Sequence, residues 1–175
     1  AVLEVNAELE QQSTQVLTKL NNNPSTAIDI FVEYKVNNKK ELLELLKPHP
    51  PSITLAQAAI ESAWGTSRFF VKANNIFGVW SFNQEDERIP ALQKRGDTTI
   101  WLKKYSSIKD AVKDYYKVLS RGSAFAEFRK LKLTSSDPYK LVTKLDKYSE
   151  KGAKYGEELT SIIRYNKFFK YDQYK

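Results

Sequence analysis

The 175-residue sequence predicts a mostly α (α+β) fold, helical throughout except for one small sheet lobe. Two observations carry this. Apolar residues recur at helical spacing along most of the chain, and the period fails in a single stretch between about Phe77 and Tyr105. Val2, Val5, Leu9, Val16 and Leu20 form a broken helical stripe that stops at Asn21-Asn22-Asn23-Pro24. Ile28, Phe31, Val32 and Val36 mark a second short helix, and Leu42, Leu43, Leu45 and Leu46 a third. We read residues 1–23 as an N-terminal helical extension and 24–175 as the main domain.

Ile53, Ala56, Ile60 and Ala63 or Trp64 give the buried stripe of the next helix, which places Trp64 in the core. Thr54 and Gln57 read as a capping-box pair at its start, and Gly65 as its stop. Ile100 and Leu102 then alternate with Trp101 and Lys103, and Arg95-Gly96-Asp97 supplies turn chemistry. These features predict a β-hairpin or three-stranded flap. Ser107 with Asp110 caps a helix carrying Ile108, Val112, Tyr115 and Leu119, closed by Gly122. Phe125, Phe128 and Leu131 lie on a short helix, and Asp137-Pro138 opens another. Leu159, Ile162, Ile163 and Phe169 belong to the last.

Composition narrows the chemistry. A chain of this length can bury a proper core, and 41% hydrophobic residues with 13% aromatics argue against disorder. No apolar run approaches the roughly 20 residues of a membrane-spanning helix. No signal peptide is visible. The chain begins at Ala1 and holds no methionine, so it reads as a processed or trimmed product from which any export signal has been lost. Zero cysteines exclude disulfides and thiolate metal sites. The single histidine, His49, excludes a multi-histidine zinc site. It sits in Lys47-Pro48-His49-Pro50-Pro51, where it reads as a surface linker residue, and no nucleophile motif accompanies it. Carboxylate chemistry remains, and no metal or other cofactor is implied. The net charge of +7 is uneven: residues 1–100 hold 10 Lys/Arg against 12 Asp/Glu, and 101–175 hold 18 against 9. Such a basic half suits a polyanion, yet the chain carries no nucleic-acid reading motif.

Glu61 is the carboxylate best placed for catalysis. It lies near the C-terminal end of its helix, off the buried stripe by one residue step. The helix dipole and neighbouring apolar walls both favour its protonated form there. A carboxyl kept protonated near neutral pH is what a general acid needs.

The string Leu55-Ala56-Gln57-Ala58-Ala59-Ile60-Glu61-Ser62-Ala63-Trp64-Gly65-Thr66-Ser67-Arg68-Phe69 closely resembles the signature of bacterial peptidoglycan glucosaminidases. The resemblance is to the Bax-type branch of glycoside hydrolase family seventy-three, with Ala63 where glycine is commoner. Asn74-Asn75-Ile76-Phe77-Gly78-Val79-Trp80 resembles the segment after that helix, and Ile89-Pro90 with Arg95-Gly96-Asp97 resembles its hairpin. Tyr105-Ser106-Ser107 with Asp114-Tyr115 is similar to the helix that follows. Leu145-Asp146-Lys147-Tyr148-Ser149-Glu150-Lys151-Gly152 and Tyr155 are similar to the closing block. Together these span roughly residues 48–168. The resemblance implies a lysozyme-like domain whose hairpin lobe flanks a cleft, peptidoglycan glycan strands as partner, and a periplasmic or cell-envelope location.

Glycosidases commonly use two carboxyl groups. The resemblance places a second acid on the hairpin, where Glu87 beside Ile89-Pro90 is the first choice, with Glu85 and Asp97 behind it. A solvated charge run is the competing reading of Glu85-Asp86-Glu87. Alternatively, the acetamido group of the substrate takes that role, oriented by a tyrosine of the closing block, Tyr148 or else Tyr155. Phe77, Trp80 and Trp101 are candidate sugar platforms, and Tyr115 is a further candidate binding residue. Asn75 either hydrogen-bonds an acetamido group or fastens its own loop. The expected activity is endo-β-N-acetylglucosaminidase with Glu61 as general acid. The alternatives are a lytic transglycosylase or muramidase on the same fold, or a non-catalytic wall-binding module.

Overall fold

The computed structural model describes residues 1–173; Tyr174 and Lys175, the end of the expected main domain, lie outside it. The helices expected at the N-terminus form as α1 (Val2–Asn22), α2 (Ala27–Tyr34) and α3 (Lys39–Leu46). The first packs against the rest of the chain. Its Val5 enters the main core, and its Leu20 closes a second cluster with Ile30, Leu42 and Leu46. Asn6 is buried as well, donating through Nδ2 to the His49 carbonyl at 2.9 Å.

The helix α4 (Pro51–Glu61) runs through the centre of the molecule. Ile53 and Ala56 are fully buried in the core, so truncating Ile53 to alanine costs about 2–5 kcal/mol. Ser52, Thr54 and Gln57 are fully buried too, which leaves no solvent face over most of its length. The expected capping box is absent. Pro50 occupies the N-cap and offers no side-chain acceptor. The orphan donor is met instead by Asp172, near the C-terminus: Oδ1 accepts from Ser52 N at 2.8 Å, and Oδ2 from Ser52 Oγ at 2.6 Å. A carboxylate at a helix N-terminus is also favoured by the dipole.

The far end of α4 departs from a simple glycine stop. Ser62 Oγ donates to the Ala58 carbonyl at 2.6 Å and accepts from Gly65 N at 2.9 Å. Ala63, Trp64 and Gly65 then adopt left-handed φ of 49°, 56° and 80°. The turn carries Trp64 away from the helix stripe, so its side chain is 58% exposed, where the core was expected. The Ser67 hydroxyl accepts from Phe70 N and caps α5 (Arg68–Ala73).

The strands β1 (Arg88–Pro90) and β2 (Trp101–Lys103) pair antiparallel, Ile89 opposite Leu102. A bridge from Trp80 to Leu102 adds a fragment of a third strand. The helix α6 (Ile108–Arg121) is capped by Ser107, whose side chain accepts from Asp110 N. It is followed by α7 (Ala126–Lys132), then α8 (Pro138–Leu141), capped by Asp137. The helix α9 (Ala153–Tyr165) packs Leu159 and Ile163 into the core. Phe169 lies beyond it, in a 3-10 turn spanning Phe168–Gln173 that follows a left-handed Lys167.

Candidate functional site

Glu61 is the last residue of α4, half-buried, and it borders a cavity of about 360 Å³. Phe77, Val79, Val118, Phe125 and Tyr148 supply most of the other walls. Burial raises its pKa above the usual carboxylate range and Glu158 adds to this, while a hydrogen bond from Tyr155 and the charge of Lys151 oppose it. Burial is the largest of these effects, so the acid form persists to higher pH than in a free carboxyl.

Behind Glu61 lies a continuous chain of buried hydrogen bonds. Tyr155 donates to Glu61 Oε1 at 2.9 Å, and Gln57 Nε2 donates to the Tyr155 hydroxyl at 3.1 Å. Tyr115 in turn donates to Gln57 Oε1. With that proton committed, the Tyr115 oxygen accepts from His49 Nε2, 3.1 Å away, and Thr54 Oγ1 lies 2.8 Å from the same nitrogen. Thr54 donates to Tyr116 at 3.2 Å, and Asn6 to Tyr116 at 3.1 Å. From His49 to Glu61 every donor points toward the carboxylate. His49 is only 2% exposed, which corrects its expected place on the surface. Burial first, and then the charge of Lys132, hold its pKa well below the ordinary value, so the imidazole is neutral.

The candidate binding residues divide. Tyr115 and Tyr155 are fully buried and act through hydrogen bonds behind Glu61. Phe77 is 5% exposed and stacks on Tyr115 with ring centroids 4.2 Å apart, so that face of its ring is taken and offers no open platform. Asn75 fastens its own loop: both Nδ2 donors are spent, on the Val79 and Lys103 carbonyls, and Oδ1 accepts from Val79 N at 2.9 Å. Trp80 remains partly open, with the Arg95 guanidinium 5.3 Å from its ring centroid. Trp101 carries Arg88 at 4.4 Å. Tyr148 lines the cavity, its ring parallel to Tyr155 at 5.6 Å. Its phenol is pushed up by burial and by Glu61, so it stays protonated.

Residues 39–168 match the family described as mannosyl-glycoprotein endo-beta-N-acetylglucosaminidase. The chain belongs to this glucosaminidase family. It is 32% identical over 152 residues to Protein bax of Escherichia coli (strain K12), covering 79% of this chain and 53% of that protein. It is 36% identical over 80 residues to Exo-glucosaminidase LytG of Bacillus subtilis (strain 168), covering 43% of this chain and 28% of that protein. The chain thus spans about half or less of the length of these curated relatives. Two solved structures share its lysozyme-like fold. The catalytic domain of the autolysin Auto from Listeria monocytogenes gives a TM-score of 0.57 at 21% identity, over 89% of this chain and 86% of that one. The glycoside hydrolase domain of Salmonella typhimurium FlgJ gives 0.54 at 22%, over 90% of each.

In this glucosaminidase-family chain the hairpin acids stand apart from the Glu61 cavity. Glu85 and Glu87 are exposed, and Asp86 accepts from Ser81 Oγ at 2.8 Å. Asp86 and Glu87 line a separate depression with Lys103, Lys104 and Asp114. Glu61 is the one acidic residue on its own cavity wall among the described residues. Sequence reasoning missed Gln57 and His49 as members of the site. The available signal was three polar residues, Ser52, Thr54 and Gln57, on a helix whose other residues before Glu61 are apolar.

Proposed function

We propose that this chain is an endo-β-N-acetylglucosaminidase that hydrolyses the glycan strands of bacterial peptidoglycan outside the cytoplasm, with Glu61 as general acid. The observation that carries this reading is a carboxyl at the end of a buried helix, held by Tyr155 and pushed toward its acid form on the wall of a cavity that Phe77, Phe125 and Tyr148 also line. Membership of a family described as endo-beta-N-acetylglucosaminidase supports the endo mode, whereas the LytG relative, an exo-glucosaminidase, supports the glucosaminidase chemistry alone.

A single carboxyl on the cavity wall favours participation by the substrate. In that route the acetamido carbonyl oxygen attacks C1 as the glycosidic C–O bond breaks, and the leaving oxygen takes the Glu61 proton. Glu61, now a carboxylate, then takes a proton from the water that attacks C1 and reopens the ring intermediate. Tyr148, with a protonated phenol on the same wall, orients the acetamido group. The alternative is a hairpin carboxylate as second catalytic group, Glu87 before Glu85, brought in by movement of the lobe.

The test is mass spectrometry of soluble fragments from purified peptidoglycan. Reducing-end N-acetylglucosamine supports the assignment. Anhydro-muramyl ends would make the chain a lytic transglycosylase, reducing muramic ends a muramidase, and binding without fragments a wall-binding module.

A further inference from the structure

A second cavity, of about 310 Å³, is bordered by His49 and lies between α1, α3, α6 and α7. It is at the lower end of the roughly 300–1,000 Å³ of small-molecule sites. Val5, Leu9, Leu46 and Leu119 give it apolar walls, while Lys132, His49 and Tyr116 give it polar ones. Lys132 is 4% exposed, and no ion pair or hydrogen bond reaches it among the described residues. No buried side-chain nitrogen there is both sealed off and without a partner. The Lys132 ammonium therefore keeps an accessible edge, and Lys132 is one of the residues that line this cavity. An isolated buried ammonium is costly, so the position is a poor one unless an anion completes it.

We propose that this cavity is a binding site for a small organic carboxylate with an apolar tail, its carboxylate on Lys132 and its tail along Val5, Leu9 and Leu119. The neighbouring charges favour an anion. Lys47, Lys113 and Lys117 line the cavity, and Arg129 lies near Lys132. Of the acids, Glu8 on the cavity wall already pairs with Lys109 and Lys113, and Glu44 acts on Lys132 without a salt bridge. The Tyr116 hydroxyl accepts from Thr54 and Asn6, so its own proton is free for the ligand. Burial and the charges of Arg129 and Lys47 hold the Lys132 pKa down to about 7, so the free site loses its cation above neutrality. The site also abuts His49, the far end of the hydrogen-bond chain to Glu61.

Octanoate titrated into the full chain tests this, read by calorimetry and by the ring C–H resonances of His49, the only histidine present. Saturable 1:1 binding that shifts those resonances is expected. Octanol should bind about tenfold or more weakly, and inorganic phosphate likewise, because each lacks one half of the recognition. Lys132→Met, an apolar replacement of similar length, should still unfold in one cooperative thermal transition no lower than that of wild type, lose octanoate by about tenfold or more, and bind octanol no worse than wild type. Affinity should fall as pH rises above about 7. No binding, equal binding of octanol and octanoate, phosphate matching octanoate, or a folded Lys132→Met protein that binds octanoate unchanged would each overturn the proposal.

Discussion

The Tyr155 hydroxyl stands 2.9 Å from Glu61 Oε1 and is itself held by Gln57. This contact works against burial. A donated hydrogen bond favours the carboxylate, whereas burial favours the acid, and burial dominates.

Tyr155→Phe should therefore move the Glu61 pKa further up, because it removes an interaction that lowers it. The alkaline limb of the pH–rate profile on peptidoglycan should shift to higher pH. A limb that moves to lower pH would contradict the balance of effects described for Glu61.

The same raised pKa makes a stability prediction. A carboxyl whose folded pKa lies above its unfolded value favours folding at low pH, and that contribution is lost as pH rises through the folded pKa. Glu61→Gln mimics the neutral acid at every pH. It should be more heat-stable than wild type at neutral and alkaline pH, with the difference closing once pH falls below about 4, near the ordinary carboxyl value. Melting curves at several pH values would check this.

Lys132 makes the opposite test. Its folded pKa of about 7 lies below the unfolded value near 10.4, so wild-type stability should rise with pH between those values. Lys132→Met should stabilise the protein most below about pH 7, with the gain fading toward pH 10. A constant difference in melting temperature across that range would count against the buried charge.

The turn after Glu61 and the cap before it can be tested separately. Ala63 holds φ of 49°, a conformation that costs a non-glycine residue roughly 1–2 kcal/mol. Ala63→Gly should recover about 0.5–1 kcal/mol after the added unfolded-state entropy is counted. Asp172→Ala should cost about 1 kcal/mol by leaving Ser52 N without its acceptor. Denaturant melts of both variants would measure these differences.

What the sequence shows and hides follows from the range of the interactions. Ser107 and Asp137 were legible as caps because each bonds a backbone N–H two or three residues away. Glu61 was legible because the residues around it are contiguous. His49, Thr54 and Gln57 were misjudged because their partners come from far along the chain: Tyr115, Tyr116 and Tyr155 lie 58–98 residues distant from the helix residues that they satisfy. A polar side chain looks exposed until its distant partner is known. Trp64 was misplaced because extrapolating the helical stripe assumes right-handed backbone, and three left-handed residues end that assumption. Asp172 caps α4 from 120 residues away, a relation that no local signal announces.

The central claim is that Glu61 delivers the proton to the leaving sugar. The most direct measurement is the rate at which Glu61→Gln releases fragments from purified peptidoglycan, compared with wild type at the same pH and with folding confirmed by melting. The account predicts a fall of about 10²–10⁴-fold in turnover with binding to the wall retained, the usual range for loss of a general acid. A folded Glu61→Gln protein that cleaves at the wild-type rate would contradict it.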